Sequence, residues 1–208
     1  GSELAMQDIM DAMHHVQTLS MGDVDEDRIY VVGVSGGGHM ALLLAALYPQ
    51  LWAGVSAWAA IADLAQWWNE RSADTPSECP NQKSFQKYAR NIERVLGGCP
   101  EEGSDQSDIM EECRKRSPIT YLPRLSASHQ NVNLDINAGI TDGRHGGSVP
   151  FLHSLLAYNA LLPRQSQFDK HWMNIFYQTQ RPSPYTTCEK DPLYQGRAIH
   201  YRHVHDCA

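Results

Sequence analysis

Residues 27–40 read Asp27-Arg28-Ile29-Tyr30-Val31-Val32-Gly33-Val34-Ser35-Gly36-Gly37-Gly38-His39-Met40, and this stretch decides the fold. Ile29 to Val32 is a β-rich apolar run without polar alternation, which predicts a strand buried on both faces. It stops in Gly33-Val34-Ser35-Gly36-Gly37, a match to G-x-S-x-G. Met40 to Tyr48 then reads as an alanine- and leucine-rich helix, apolar nearly all round and closed by Pro49. A serine raised on so sharp a strand-to-helix turn sits in strained backbone. Side chains two residues before and after it would meet the neighbouring strand and helix, which accounts for glycine at both places. The amide of Gly36 would point at a developing oxyanion, and the helix N-terminus adds positive potential there. Ser35 is therefore the candidate nucleophile and Gly36 the candidate oxyanion donor. The competing reading is a phosphate-binding turn, but Gly33, Gly36 and Gly38 do not fit G-x-G-x-x-G and no lysine follows.

Outward from this turn the chain alternates. Residues 3–19 have helical spacing, with Ile9, Met13 and Val16 on one stripe widened by Met6, Met10 and Leu19. Trp52 to Ile61 reads as a second buried strand. Residues 64–116 form an excursion of short helices, among them Phe85 to Leu96, too short for a second domain with its own core. Within it, Trp67, Trp68 and Tyr88 either line a pocket or pack the excursion onto the sheet, and packing is the commoner outcome. Asn133 to Ala138 is a third strand, Gly139 to Gly147 a turn, and Val149-Pro150 opens a helix over Phe151 to Leu162. From Pro163 onward the chain is polar, proline-broken and rich in aromatic residues. Such alternation predicts an α/β protein with a mostly parallel sheet flanked by helices.

Composition excludes several classes. The chain has 208 residues, 42% of them hydrophobic and 20% charged, which is globular rather than disordered. No apolar run approaches the ~20 residues a membrane-spanning helix needs. A net charge of -7 offers no footprint for a nucleic acid or an anionic membrane. Arg114-Lys115-Arg116 is read as a solvated surface cluster. Cys79, Cys99, Cys113, Cys188 and Cys207 show no CxxC spacing. Three of them fall in the excursion, which predicts a disulfide among Cys79, Cys99 and Cys113. That in turn favours a secreted or periplasmic protein over a cytoplasmic one.

The run DRIYVVGVSGGGHMALLLAALYP resembles the region around the nucleophile of α/β-hydrolases. It is most similar to the branch that includes prolyl oligopeptidase-like and dienelactone hydrolase-like proteins, in which a D-x-D-R-I turn leads into the strand. Asp25, Asp27, Arg28 and Ile29 match that entry, and Arg116-Ser117-Pro118 with Tyr121-Leu122 resemble the segment before the acid-bearing strand. The resemblance runs from about residue 3 to residue 162. It implies an α/β-hydrolase fold and a serine hydrolase that cleaves a peptide or carboxylic ester through an acyl-enzyme, without metal or organic cofactor. It also implies a triad in the chain order serine, acid, histidine.

The family's acid lies in an h-G-x-x-D turn shortly before V-P. Ala138-Gly139-Ile140-Thr141-Asp142, followed by Val149-Pro150, matches and makes Asp142 the acid. A plain Asp-Gly turn is the alternative for Asp142. Asp63 is the runner-up acid, and Asp135, inside a strand, is a poor one. The family's histidine follows one more strand. In this chain Ile199 to Val204 could be a short alternating strand, so the base is His205 or lies beyond Ala208. Only 34 residues precede Ser35. Residues 1–208 are accordingly expected to be one incomplete α/β-hydrolase catalytic domain carrying the excursion 64–116. His14, His15, His39, His145 and His153 take structural readings.

Two other classes compete. His200, His203, His205, Asp206 and Cys207 could ligate zinc or copper, although their spacing matches no metal motif. A non-catalytic scaffold of the same fold would explain a missing base, but it has no use for a strained serine.

Overall fold

The structure is a computed structural model and describes residues 1–19, 23–72, 82–100, 107–127, 132–143, 147–180, 187–191 and 197–201. Three parallel strands form the sheet in the order β1 (Tyr30–Val34), β2 (Gly54–Trp58), β3 (Asn133–Asn137). Tyr30, Val32 and Val34 register with Gly54, Ser56 and Trp58, and these in turn with Asn133, Asp135 and Asn137. Because side chains alternate along a strand, Val31, Val55, Ala57, Leu134 and Ile136 share the opposite face. That face carries the main core together with α1 (Glu3–Leu19), α2 (Gly36–Leu47), α6 (Leu122–Ala127) and α7 (Leu152–Leu161). Leu42, Leu43 and Leu44 on α2 are fully buried. Each removes an isobutyl group from water, worth roughly 2 kcal/mol.

The first strand departs from expectation. It is not buried on both faces: Tyr30, Val32 and Val34 are 64%, 71% and 64% exposed. Among the described residues nothing covers this second face of the sheet, and β1 is an edge. An unbroken apolar run therefore fixes neither a strand's place in the sheet nor which of its faces is covered. On α1, Met6 and Met10 are buried and Ile9 and Met13 join the core, but Val16 and Leu19 remain exposed.

The excursion comprises α3 (Leu64–Ser72), α4 (Gln82–Leu96) and α5 (Ser107–Arg116). It builds a small apolar cluster, with Trp67, Trp68, Ala89, Ile92, Leu96 and Cys113 gathered on Ile61 and Val149. Ile61 and Val149 come from outside residues 64–116, so this cluster ties the excursion to the rest of the chain. Trp67 and Trp68 are buried in the cluster, and Trp67 meets Tyr88 with ring centroids 5.3 Å apart, so they pack. The predicted disulfide does not involve Cys113. Cys113 is a free, buried thiol and no bridge joins it to Cys99, while Cys79 lies outside the described residues. A cysteine in a polar stretch can still face inward when its helix is amphipathic. No described helix is long and apolar enough to cross a membrane.

Beyond α7 the chain forms α8 (Lys170–Thr179), which the reading of a polar, proline-broken region missed. Asp169 caps it by accepting from the Trp172 amide, and Phe176 stacks edge-on against Phe151. The last described elements are β4 (Thr187–Asp191) and β5 (Arg197–Tyr201), an antiparallel pair. The strand expected over Ile199 to Val204 therefore begins earlier and joins a hairpin instead of the parallel sheet.

Candidate active site

Parallel strands deliver their carboxyl ends to one edge of the sheet, where α/β proteins bind ligands. Ser35 stands at that edge after β1, and the Asp142 turn stands there after β3. Two strand spacings of about 4.8 Å separate the strands that carry them.

Ser35 sits between β1 and α2 with φ 57° and ψ -115°, a conformation that an L-residue adopts only under constraint. Its amide donates to Trp58 O at 2.8 Å, and its carbonyl accepts the first helical bond, from the His39 amide at 2.9 Å. The glycines explain how the chain passes so closely. A Cβ on Gly33 would lie 2.1 Å from Gly37 O, so no other residue fits. At Gly37, by contrast, a Cβ would meet nothing within 4 Å. The steric need on the helix side falls one residue later, on Gly38, where a Cβ would approach Trp58 O to 2.6 Å. The motif's second glycine is thus not sterically required by the described residues, contrary to the sequence argument. Gly36 opens α2 and is exposed, and the amides of a helix's first turn have no partner within the helix.

Asp142 is held by its own turn. One carboxylate oxygen accepts from the Gly139 amide at 2.9 Å, and its amide donates to Gly139 O at 2.9 Å. The carboxylate is wedged between glycines, since a Cβ on Gly139 or on Gly147 would lie 3.2 Å from it. The turn closes on the start of α7. Phe151 N–H donates to Asp142 O at 3.2 Å, and Pro150 lies so close to Gly143 that a Cβ there would sit 2.3 Å away.

The other carboxylates are occupied. Asp63 caps α3, accepting from the Ala65 and Gln66 amides at 2.9 and 3.2 Å. Asp135 accepts from the Ser56 hydroxyl at 2.9 Å and from the Asn137 side-chain Nδ2 at 2.6 Å on the open face of the sheet.

Two histidines that no spacing marks are deeply buried. His39, four residues after Ser35, is 4% exposed and its Nδ1–H donates to Ile61 O at 2.8 Å. Burial pushes its pKa from 6.5 down to about 3, so the ring is neutral. His153, on the first turn of α7, is 0% exposed and lies between the Ala62 amide and Glu70. His14 and His15 are exposed on α1. His145, His203, His205, Asp206 and Cys207 lie outside the described residues, as does the side chain of His200. Among the described residues no group of three or more metal-binding side chains comes together.

Residues 3–94 match the sequence model of the prolyl oligopeptidase family. That span includes Ser35 and ends before Asp142. No curated protein matches the chain. Two solved structures of acylaminoacyl peptidase share its architecture. One is the enzyme in complex with Z-Gly-Gly-Phe-chloromethyl ketone, at 19% identity and a TM-score of 0.52. The other is the Pyrococcus horikoshii enzyme in an orthorhombic crystal form, at 18% and 0.51. Each match covers 75% of this chain and 20% of the solved one, so the chain spans about a fifth of their length.

Proposed function

We propose that this chain, which has the α/β-hydrolase fold and resembles the prolyl oligopeptidase family, is part of a serine hydrolase that cleaves peptides through an acyl-enzyme on Ser35. The observation that carries the reading is the backbone of Ser35, at φ 57° between a parallel strand and a buried helix. Strain of this kind costs ~1–3 kcal/mol and persists where it aims a group outward. A scaffold gains nothing from it.

In this reading the Ser35 hydroxyl attacks the substrate carbonyl and passes its proton to an imidazole. The Gly36 amide donates to the oxyanion, and the partial positive charge at the start of α2 adds to it. Asp142 orients the imidazole, which then protonates the leaving amine, and water releases the acyl group. His205 is the base we assign within this chain. The domain assignment, one incomplete catalytic domain over residues 1–208 with the excursion 64–116, belongs to the same proposal. The family favours peptides over carboxylic esters.

A fluorophosphonate probe tests the reading. It should label the protein, and Ser35→Ala should abolish labelling. No labelling, or labelling that survives the substitution, removes the nucleophile. Peptide anilides compared with p-nitrophenyl esters then decide the class, since a larger kcat/KM for esters would make the protein a carboxylesterase. Activity that survives His205→Ala would move the base elsewhere.

A further inference from the structure

One peptide group joins the two halves of the candidate site. The carbonyl of Ile61 and the amide of Ala62 belong to the same planar unit, just past the end of β2. The carbonyl accepts from His39 Nδ1 at 2.8 Å, and the amide donates to His153 Nδ1 at 3.3 Å. His153 Nε2 continues to Glu70 Oε2 on α3 at 3.1 Å. The partners fix both tautomers. A carbonyl only accepts, so His39 carries its proton on Nδ1. An amide N–H only donates, so His153 Nδ1 is bare and the proton sits on Nε2, facing the carboxylate. Every donor in the chain points the same way, from α2 towards Glu70, and aligned hydrogen bonds in a dry interior polarise one another.

The ends of this chain are significant. His39 lies one helical turn after Ser35. His153 lies two residues after Phe151, whose amide holds Asp142 O. A second tie runs in parallel, because Trp67 Nε1–H on α3 donates to Ser148 O at 2.9 Å. α3 therefore grips the acid-bearing turn on both sides of residues 149–151, the segment that closes on Asp142 and Gly143. Asp63 and the Ser117 hydroxyl in turn anchor the start of α3.

We propose that His39, the Ile61–Ala62 peptide, His153 and Glu70 form a positioning relay that sets the distance between the helix bearing Ser35 and the turn bearing Asp142. The proposal rests on the assignment of Ser35 and Asp142 as nucleophile and acid. The relay requires a neutral His153, because a proton on Nδ1 would face the Ala62 amide donor to donor. The charged and titratable groups bearing on it are Glu70 and Arg71 on α3, His39 on α2, and the Gly1 ammonium beside His39. Burial alone would raise the Glu70 carboxyl, but the hydrogen bond from His153, with that from Gln66 and the nearby Arg71 charge, brings it below the usual carboxylate range.

Imidazole nitrogen NMR of the protein gives a readout that does not depend on catalysis. His39 should appear as the Nδ1–H tautomer and His153 as the Nε2–H tautomer, and either one reversed overturns the relay. Kinetics of His153→Ala and His153→Gln test its positioning role. The alanine variant should lose about 10-fold in kcat, the order expected for a small misplacement, with KM within about two-fold. Glutamine, which can supply both an acceptor and a donor, should restore most of that loss. Equal kcat for wild type and alanine, or a glutamine variant as slow as alanine, overturns it. Should the alanine variant fail to fold, Glu70→Leu carries the same kinetic comparison against Glu70→Gln. If Ser35→Ala leaves fluorophosphonate labelling intact, the hydrolase reading fails by itself. Amide exchange at Gly139 and Phe151 then judges the relay, which requires faster exchange in the alanine variant than in wild type.

Discussion

The Ser35 turn and the Asp142 turn stand at the same edge of the same sheet, and they are held in different ways. The Ser35 turn is fixed by backbone: Gly33 against Gly37 O, Gly38 against Trp58 O, and the Ser35 amide on Trp58 O. All but Trp58 lie within six residues. The Asp142 turn is only partly fixed by its own backbone. Its far side is held by Trp67 and Glu70 on α3, more than 70 residues earlier in the chain. The first arrangement tolerates change around it but almost none within it. The second is also tight within the turn, at Gly143 against Pro150, and depends on the excursion besides.

Five measurements would sharpen or break this contrast. The largest effect belongs to Asp142→Asn, which keeps the turn's shape while removing the charge that orients an imidazole. We expect kcat to fall about 10⁴-fold, with the melting temperature little changed. An activity within ten-fold of wild type would take the acid away from this turn.

Next is pH. His39 is buried neutral and its folded pKa, about 3, lies below its ordinary 6.5. Between those values the unfolded chain binds the extra proton. Stability from this group is therefore complete above pH 6.5 and falls by up to about 1.4 kcal/mol per pH unit below it. Urea midpoints from pH 7 to pH 4 should show the slope, and His39→Gln should flatten it. An unchanged slope in that variant would mean that other groups control acid unfolding.

Third, Gly33→Ala drives a methyl group into Gly37 O and should cost about 3 kcal/mol in urea unfolding. Fourth, Trp67→Phe keeps the ring in the excursion's cluster and deletes its bond to Ser148 O. It should cost about 1 kcal/mol and speed amide exchange at Phe151 without touching the Ser35 turn. Equal effects at both turns would erase the distinction. The smallest effect is Gly37→Ala: with empty space at its Cβ and better helix propensity, stability should hold or rise by up to about 1 kcal/mol. A loss greater than that would mean that something outside the described residues covers this glycine.

What could be read in advance follows the same division. The strand, the strained serine and the buried helix after it are local patterns, and all three appear where the periodicity places them. α1 and the three strands likewise follow from runs of four or more residues. The requirement at Gly38 in place of Gly37 was not legible, because it depends on where Trp58 O comes to rest across the ladder. α8 was missed because its aromatic residues face a neighbouring helix and polar residues separate them. His39 and His153 escaped notice for a sharper reason. What joins them is a single peptide group at residues 61 and 62, and sequence spacing carries no trace of a hydrogen bond to backbone. The free Cys113 was not foreseen because composition counts cysteines but does not say which side of α5 they face.

Cys113 has a practical consequence. Its side chain is 1% exposed, and burial, with Asp63 nearby, pushes the thiol up to about 11. At pH 7 only about one molecule in 10⁴ carries the thiolate, the form that alkylating reagents and oxidants attack. The sulfur is thus inert while α3 and α5 stay together and becomes ordinary once they part. Its labelling rate, followed residue by residue by mass spectrometry, is a clock for the opening of the excursion, built into the chain without any engineered reporter.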